Sequence, residues 1–533
     1  MNRLNRILML VATLTAPVSQ AQLLASGDVT GNAAVLWMRA DEAGTYHFEV
    51  ARDPQFSDVV ARREVRAAAN HGNTAQTEIT GLQPATRYHY RVRGIDGPLP
   101  REGSFATAPD ADTGSSLRLL FGADLGGQGY GRLRADAGLA MDGWPIFKPM
   151  ASENADLFLA LGDMIYSDRP VTAQAPDFPK GNDFQIPKPG PGHVSNADDF
   201  RRDWLYHRSD HRYARFLERT PIIATWDDHE IVNDSGGPEL TLGPAPEELA
   251  RDSRLKQGDP SRPRGEFMPW STTKSKQGRR RSVFFNPVLF RDGRQVMFEY
   301  NPIRVLVDPS GTHERRLYRS LRWGKHAEIF MLDVRSYRDP RYRMDSAEHP
   351  KSMLGAEQKR WLLDALDKSD ATWKLIVSSV PLSIAGGNER DPEGRWYRDA
   401  WAAVEPDNPY GYARELDEIV RYIMTRRIRN VLFITGDKHF SNLFAYDPDR
   451  DGRIDFHEAN IGPLRAGAAS GKARVDTTFN PARLATYAGR NAFAYGRLEI
   501  DAATAALTVE IRDIDGKPVP DAVLRLPAQT GKP

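Results

Sequence analysis

The sequence contains no cysteine among its 533 residues. Disulfides and thiolate metal ligands are therefore excluded, and any metal ion must be held by oxygen and nitrogen donors. Long apolar runs are also missing, since the apolar run at residues 7–18 is too short to span a bilayer and no later run approaches that length. Neither sign of charge dominates, because 72 lysines and arginines balance 71 aspartates and glutamates. The balance gives no overall attraction to nucleic acid or to an anionic membrane, so partner choice must depend on a local site.

The N-terminal segment has the order of a secretory signal peptide. Arg3 and Arg6 precede the apolar run, and residues 19–21 supply the small side chains of a cleavage site. We expect residues 1–21 to be removed, the mature chain to begin near Gln22, and the protein to be exported to the periplasm or secreted. Because Arg3 and Arg6 are not adjacent, the general and the twin-arginine export routes are both open.

The length exceeds what one hydrophobic core organises, so at least two domains are expected. Residues 22–109 are patterned as short strands of alternating polarity, separated by turn residues at the spacing of a β-sandwich. This region resembles a fibronectin type III or immunoglobulin-like domain. Strands are predicted in it at residues 34–38, 45–50, 76–79 and 88–92.

Residues 115–526 show a different pattern, in which apolar strands alternate with helical segments as in α/β domains. The clearest helix is predicted at residues 356–366. Two long polar segments, residues 169–197 and 235–277, are predicted as surface loops, and residues 495–526 as a closing hairpin. Strands are predicted at residues 117–123, 157–161, 222–225, 329–332, 375–378 and 431–435.

Acidic, histidine and tyrosine residues follow four of these strands. Because ligands in open α/β sheets collect beyond the carboxyl ends of the strands, we expect these side chains to converge on one crevice. Carboxylates that are packed together repel each other, and a cation of high charge relieves that repulsion. The predicted ligands are Asp124, Asp163, Tyr166, Asp228, Asp437 and His439.

The donor types indicate both the metal ions and the reaction. Carboxylate and phenolate oxygens are hard donors that suit Fe(III), Ca, Mn or Mg, and imidazole extends the range to Zn and Fe. Two ions bridged by one carboxylate would generate a hydroxide, clamp a phosphoryl group and stabilise its in-line displacement. The pattern predicts an exported metal-dependent phosphoesterase that uses a metal-bridging hydroxide. Its substrate would be a small or polymeric phosphate ester; a nucleic acid is expected only as such a substrate, and no partner protein is indicated.

Five short motifs occur in a fixed order along the chain. They are Gly162-Asp163-x-x-Tyr166, Trp226-Asp227-Asp228-His229-Glu230, Leu332-Asp333-x-Arg335-x-Tyr337-Arg338, Leu354-Gly355-x-x-Gln358-x-x-Trp361-Leu362 and Gly436-Asp437-x-His439. In this order they resemble the motifs of the alkaline phosphatase D, or PhoD-like, family. The resemblance covers nearly the whole mature chain. It implies an α/β fold in which a metallophosphoesterase β-sandwich flanked by helices follows an all-β immunoglobulin-like domain. That family belongs to the calcineurin-like metallophosphoesterases and is similar at its metal site to purple acid phosphatases.

The resemblance implies a role for most of the predicted ligands. Asp163 would bridge two metal ions. Tyr166 and His439 would help to hold the Fe(III)-like ion. Asp228 and Asp437 would serve the second ion.

Asp124 departs from the family pattern, because the relatives commonly have a cysteine ligand after the first strand. A carboxylate can replace a thiolate on a hard ion, but the identity of the metal then stays open. No histidine follows the strand at residues 375–378, where related phosphoesterases have one, and an oxygen-rich second site favours Ca over Zn. We expect Fe(III) plus Ca, with Zn, Mn and Mg as alternatives.

Three further residues are candidates for the site. His229 would orient the substrate or protonate the leaving oxygen; the alternative is that it only positions Asp228. Arg335 would pair with phosphate oxygens through its planar fork, or it forms a structural ion pair. Asn233 would add an oxygen ligand, or it is a turn residue.

A second acidic segment has the spacing of an EF-hand calcium loop, with carboxylates at alternating positions, a central glycine and a terminal glutamate. The flanking helices of an EF-hand are not evident, and two strands joined by an Asp-Gly turn are the alternative. The candidate ligands of a structural calcium ion are Asp447, Asp449, Asp451 and Glu458.

The competing hypothesis for the whole chain is a surface-binding protein, in which the sandwich recognises a glycan or wall polymer and the α/β domain is inactive. A domain without a metal ion has no physical reason to keep mutually repelling carboxylates, which favours the enzyme.

Phosphate monoesters and diesters are both candidate substrates.

Overall fold

The structure is a computed structural model that describes most of the chain. The described residues are 23–94, 101–126, 143–168, 194, 196–237, 239–242, 273–274, 280–285, 287–387, 389–391, 393–405 and 408–529. The predicted signal peptide at residues 1–21 and most of the two predicted long loops lie outside these residues. Among the described residues, no helix is both long enough and apolar enough to cross a membrane.

The N-terminal region is all-β, as predicted. Four of its strands form an antiparallel sheet in the order β4-β3-β6-β7, and apolar side chains from both sides of the sandwich form one core beneath it. A short 3₁₀ turn covers Ala69–His71. The strands are β1 (Leu23–Gly27), β2 (Ala33–Arg39), β3 (Gly44–Ala51), β4 (Val59–Ala67), β5 (Thr74–Thr80), β6 (Arg87–Gly94) and β7 (Arg101–Ala106).

The second region alternates strands and helices. Its elements are β8 (Leu117–Gly122), α1 (Phe147–Ser152), β9 (Leu157–Ala160), α2 (Ala197–Arg208), α3 (His211–Arg219), β10 (Ile222–Ala224), β11 (Glu239–Leu242), β12 (Thr273–Lys274), β13 (Arg280–Phe285), α4 (Pro287–Tyr300), β14 (Arg319–Trp323), β15 (Ala327–Met331), α5 (Gly355–Lys368), β16 (Trp373–Ser378), β17 (Glu389–Arg390), β18 (Trp396–Tyr397), α6 (Ala413–Thr425), β19 (Val431–Thr435), β20 (Ser441–Tyr446), β21 (Phe456–Asn460), β22 (Pro481–Tyr487), β23 (Ala494–Ile500), β24 (Leu507–Asp513) and β25 (Pro518–Leu526).

Two large mixed sheets organise this region. One has nine strands in the order β25-β24-β23-β8-β9-β10-β1-β2-β5, and the other has seven in the order β14-β15-β16-β19-β21-β20-β22. Strands β8, β9 and β10 are parallel to each other, and so are β15, β16, β19 and β21. A smaller sheet has the order β11-β13-β12-β17-β18. The parallel strands at the centre of each large sheet direct their carboxyl ends to one side, where a site is expected.

The two large sheets stack face to face with helices on both outer sides. Leu157 and Leu159 of β9 belong to a core that is shared with the seven-stranded sheet, whereas Phe158 and Ala160 pack with the helices α1 to α4. Helices α5 and α6 cover the outer face of the seven-stranded sheet. This alternation follows from the period of two in a strand. A β-sandwich flanked by helices is therefore observed.

The N-terminal sandwich is joined to the second region through a shared sheet. Strand β1 pairs in parallel with β10, with Gly27 opposite Ile222. A Cβ atom at Gly27 would lie 2.5 Å from the carbonyl oxygens of Ile222 and Pro302, so only glycine allows this approach. The sequence predicts a boundary near residue 109, but strands β1, β2 and β5 extend the nine-stranded sheet of the second region.

The predicted elements agree closely with the observed ones. All six strands predicted in the second region are present, and the predicted helix is α5. The predicted C-terminal hairpin is a three-stranded antiparallel meander, β23 to β25, in which the N–H of Gly516 donates to the carbonyl of Asp513 in the last turn.

Candidate metal centre

The candidate ligands that follow three of the parallel strands have an unusual backbone. Asp124 follows β8, Asp163 follows β9 and Asp437 follows β19, and their φ angles are 59°, 54° and 66°. Residues other than glycine rarely adopt this left-handed conformation, and its strain is typical of sites where the surrounding structure must hold a side chain in place. The strand ends thus turn these carboxylates toward one another.

A group of possible ligands formed by Asp228, Asp234 and Asp399 adjoins two overlapping groups at these strand ends. One of the overlapping groups contains Asp124, Asp163 and His439, and the other contains Asp163, Asp228 and His229. Within each group the possible ligand atoms lie within 4.8 Å of one another. Asp163 belongs to both groups, which is the arrangement that a bridging carboxylate requires.

Asp124 has a carboxylate that the described residues do not satisfy. The residue is fully buried, and neither carboxylate oxygen has a hydrogen-bond partner among the described residues. Burial raises the pKa of Asp124 well above its ordinary value, and repulsion from Asp437 and Asp227 adds to the rise. A buried carboxylate without donors costs several kcal/mol unless it is neutralised or meets a cation, so this side chain fits a metal ligand.

Tyr166 and His439 meet at the edge of the first group. The Tyr166 hydroxyl lies 3.3 Å from Nε2 of His439. Nδ1 of His439 donates to the carbonyl oxygen of Gly467 at 2.6 Å, which leaves Nε2 as the acceptor nitrogen of the neutral ring. Nε2 also lies 4.0 Å from Oδ1 of Asp124. Such a backbone hydrogen bond is typical of a histidine that is oriented as a metal ligand.

Among the described residues, His229 contacts Asp168, Tyr166 and Asp163. Its Nδ1 lies 2.6 Å from Oδ1 of Asp168. Its ring stacks on Tyr166 with centroids 4.2 Å apart, and its backbone N–H donates to Oδ1 of Asp163 at 3.2 Å. The pair with Asp168 fixes Nδ1 as the donor. The sequence motifs contain no signal for Asp168, which follows Tyr166 by two residues.

Asn233 contributes through its backbone. Its N–H donates to Oδ2 of Asp168 at 3.2 Å. This contact ties the turn after His229 to the loop that carries Tyr166. A role of the Asn233 side chain as an oxygen ligand remains a proposal.

Asp228 belongs to the second group, whereas Asp437 belongs to neither group, although it lies close enough to Asp124 and Asp228 to repel both. Oδ2 of Asp228 accepts from the N–H of Asp234 at 2.6 Å, and Oδ1 of Asp228 has no hydrogen-bond partner among the described residues. Burial raises the pKa of Asp437, while the ammonium group of Lys438, which donates to Oδ2 of Asp437, opposes that rise. Carboxylates from different strands therefore concentrate negative charge here.

Arg335 forms ion pairs with protein carboxylates instead of the predicted contact with phosphate. The guanidinium group is 2% exposed, with Nε 2.6 Å from Oδ1 of Asp227 and Nη1 2.8 Å from Oδ2 of Asp399. Nη2 lies 3.7 Å from Oδ2 of Asp228. Protein carboxylates hold Nε and Nη1, so Arg335 forms the structural ion pair that was the alternative, while Nη2 has no hydrogen-bond partner among the described residues.

Glu230 is a second residue of the site that the sequence did not single out for a role. Its carboxylate accepts from the backbone N–H groups of Asp163 at 2.9 Å, Met164 at 2.8 Å and Asp227 at 2.8 Å. Burial raises the pKa of Glu230 to about 7, and the three N–H donors oppose the rise. Glu230 thus binds the loop after β9 to the loop after β10.

The acidic segment after β20 does not form an EF-hand. The segment joins strands β20 and β21 rather than two helices. Carboxylate oxygens of Asp447, Asp449 and Asp455 lie within 4.8 Å of one another. Asp451 instead accepts from the N–H of Arg453 at 2.8 Å and helps to close the turn.

The prediction that Glu458 is a calcium ligand is wrong. Strand β21 begins at Phe456 and carries Glu458 into the sheet, where the side chain is fully buried. Its carboxylate accepts from Oγ1 of Thr435 at 2.7 Å and from the N–H of Leu382 at 3.0 Å. Strand pairing therefore removes the ligand that an EF-hand needs at its last position.

The fold and the site together define a helix-flanked double sheet with a candidate metal centre at the ends of its parallel strands. Residues 125–511 match the model of the PhoD-like phosphatase family, and residues 15–109 match the model of the N-terminal domain of the PhoD-like phosphatases. The chain belongs to the PhoD-like phosphatase family.

Similar proteins agree with this assignment. Alkaline phosphatase D of Bacillus subtilis (strain 168) is 24% identical over 446 residues, and the match spans 78% of this chain but 64% of that protein. A solved structure of PhoD has a TM-score of 0.68 at 20% identity, covering 95% of this chain and 92% of that one. Purple acid phosphatase PPD1 from yellow lupin (Lupinus luteus) seeds has a TM-score of 0.53 at 12% identity, covering 96% of this chain and 75% of that one. At these identities the solved structures support the fold.

Proposed function

We propose that this protein hydrolyses phosphate esters at a centre of two metal ions. The observation that supports the proposal most strongly is the position of Asp163, which belongs to both groups of possible ligands. The unsatisfied carboxylate of Asp124 supports it as well, because a buried anion without donors needs a cation. Membership of the PhoD-like phosphatase family supports the reaction class. We also propose that the chain belongs to the calcineurin-like metallophosphoesterases.

The chain offers distinct donor sets for the two ions. We assign Asp124, Tyr166 and His439 to an Fe(III)-like ion, with Asp163 shared. We assign Asp228, Asp437 and the amide of Asn233 to the second, oxygen-rich site, which suits Ca. When bound, the ions would polarise the phosphoryl oxygens and lower the pKa of a water molecule.

We assign His229 to protonation of the leaving oxygen. The reaction forms a bond between a water oxygen and phosphorus and breaks the ester bond between phosphorus and the leaving oxygen. The charged ring of His229, stabilised by Asp168 at Nδ1, donates its Nε2 proton to that oxygen, and the proton lost by the attacking water restores the charge of the ring. Arg335 stays in its ion pairs with Asp227 and Asp399 and keeps the acidic loops in position.

The test begins with elemental analysis of the purified protein. The metal ions are then removed by chelation, and Fe and Ca are added back separately and together. Hydrolysis of p-nitrophenyl phosphate and of bis-p-nitrophenyl phosphate should disappear on chelation and return on add-back. The ratio of the two rates distinguishes a monoesterase from a diesterase. A protein that hydrolyses neither ester with both metals supplied would favour the surface-binding hypothesis.

We propose that the protein is exported and acts outside the cytoplasm. The order of charged, apolar and small residues at positions 1–21 supports this. N-terminal sequencing of the protein recovered outside the cytoplasm should begin near Gln22. Recovery of an intact Met1 from the cytoplasmic fraction alone would contradict export.

A further inference from the structure

The residue between Asp437 and His439 is a lysine, and its ammonium group lies inside the candidate metal centre. Nζ of Lys438 donates a short hydrogen bond to Oδ2 of Asp437. The side chains of Lys438 and Asp437 are 14% and 15% exposed, whereas that of Asp124 is fully buried. Lys438 and Asp437 are therefore partly exposed, and His439, at 25%, is more exposed than either.

The backbone and the neighbours of Lys438 hold the ammonium group there. The N–H of Lys438 donates to the carbonyl of Gly436 at 2.8 Å, and the carbonyl of Lys438 accepts from the N–H of Phe440 at 2.7 Å. A Cβ atom at Gly386 would lie only 3.1 Å from Nζ, so the glycine leaves the ammonium group its space. Asp399 and Asp227 are close enough to attract the ammonium group as well.

A metal ion on Oδ2 of Asp437 and this ammonium group need the same oxygen atom. Carboxylate oxygens bind ions such as Ca at about 2.3–2.6 Å. An ion on Asp437 would therefore lie within about 5 Å of Nζ, where like charges in a partly buried site repel each other strongly. Lys438 in its observed position and a second ion would therefore compete for Oδ2 of Asp437.

We propose that Lys438 competes with the second metal ion. Its ammonium group neutralises Asp437 when the metal is absent and leaves Asp437 when the ion binds. This inference rests on the proposed function, because it takes Asp437 as a ligand of the second ion. The flexible four-carbon stem of lysine and the partial exposure of the side chain give the ammonium group a path toward solvent. Lys438 thus sets the affinity of the second site.

Competition and a purely structural role predict effects of opposite sign. If Lys438 only supported the fold of the centre, a variant without its charge would bind metal more weakly. If Lys438 competes, Lys438→Met keeps the length of the side chain, removes the charge, and binds the second ion about tenfold more tightly or better. Lys438→Arg keeps the charge and should stay near the affinity of the original protein.

The experiment titrates the metal-free full-length protein with Mn²⁺ and measures free Mn²⁺ by electron paramagnetic resonance. The original protein is compared with Lys438→Met and Lys438→Arg. Lys359→Met is the matched control, because it removes a lysine that pairs with Glu418 at the surface of α5. The first site should bind equally in all four proteins, and the second site should tighten in Lys438→Met alone. If Lys438→Met does not unfold cooperatively, Lys438→Gln replaces it.

Equal or weaker binding at the second site in the folded charge-removal variant would overturn the competition, and so would a single bound ion in every protein. The titration needs no turnover, so it separates this inference from the proposed function. A gain in affinity without any hydrolysis contradicts the function alone. Hydrolysis with an unchanged affinity contradicts the competition alone.

Discussion

Nδ1 of His229 lies 2.6 Å from Oδ1 of Asp168, and this contact makes Nδ1 the ring nitrogen that donates to the Asp168 carboxylate. A histidine without such a carboxylate partner would sample both tautomers and several ring orientations. The Asp168 carboxylate also accepts from the backbone N–H of Asn233. One side chain therefore orients both the ring and the turn that follows it.

Asp168→Asn should lower kcat about 10- to 100-fold, because an amide can present a donor to Nδ1 and favour the wrong tautomer. His229→Asn should lower kcat at least as much. Steady-state kinetics with p-nitrophenyl phosphate and its bis-ester measure both. In the double variant the two losses should not add, because the residues act as a unit. Additive losses would show that Asp168 and His229 act separately.

Asp124→Asn should have opposite effects on metal binding and on the stability of the metal-free protein. The folded pKa of Asp124 is raised above its ordinary 3.8, so the folded state holds the proton more tightly and loses stability as pH rises above that value. The neutral amide avoids the loss. At pH 8 with chelator present, the free energy of unfolding should rise by about 1–3 kcal/mol in urea denaturation.

With metal supplied, the same Asp124→Asn protein should bind the first ion more weakly and lose most of its hydrolysis. Elemental analysis after dialysis measures the bound metal. A variant that is destabilised both with and without metal would show that Asp124 serves the fold rather than the ion.

Arg335→Met should destabilise the protein by about 3–5 kcal/mol, because it leaves the buried carboxylate of Asp227 without its paired cation, whereas Asp399 keeps its ion pair with Arg338. The matched control is Arg421→Met, whose arginine is 75% exposed and pairs with Asp417 on α6. Loss of that surface pair should change the free energy of unfolding by less than about 1 kcal/mol. Urea denaturation compares the two. A stable Arg335→Met protein with a raised KM would instead restore the phosphate-contact role.

Gly462→Ala should weaken metal binding about tenfold, since a Cβ atom there would lie 2.2 Å from Oδ2 of Asp124 and must displace that carboxylate. Gly467→Ala is the control in the same region, because a Cβ atom at Gly467 meets nothing within 4 Å. Mn²⁺ titration of both variants measures the difference. Equal affinities would mean that Asp124 can shift without loss of the ion.

Protonation of His457 accounts for part of the pH dependence of the free energy of unfolding, and a substitution of this histidine should remove that part. Burial lowers the pKa of His457 from 6.5 to about 4. Between these values the unfolded chain binds a proton that the folded protein does not, so stability falls as pH falls from 6.5 toward 4. His457→Gln should remove about 1–3 kcal/mol of that fall. Urea midpoints at several pH values measure it, and parallel curves for the two proteins would contradict the assignment.

The sequence by itself predicted the strands, the α/β pattern and the family motifs, because these depend on local apolar periodicity and on residues next to strand ends. It also predicted that Asp124, Asp163 and Asp437 follow strand ends, and each of them does. The EF-hand spacing gave a wrong prediction for Glu458, because Glu458 lies in a strand and pairs with Phe444 of the neighbouring strand. The spacing of possible ligands along the sequence does not show which strands pair.

Only the tertiary structure decided what each polar side chain contacts. Arg335 meets Asp227 and Asp399, which lie 108 and 64 residues away along the chain. Asp168, 61 residues before His229, is brought to its ring by the turn after β9. Ion pairs and hydrogen bonds between residues so far apart along the chain depend on how the two sheets stack. The local sequence around each residue does not show which distant residue it will contact. The sequence therefore determines which donors exist, and packing determines which of them lie close enough together to bind one ion.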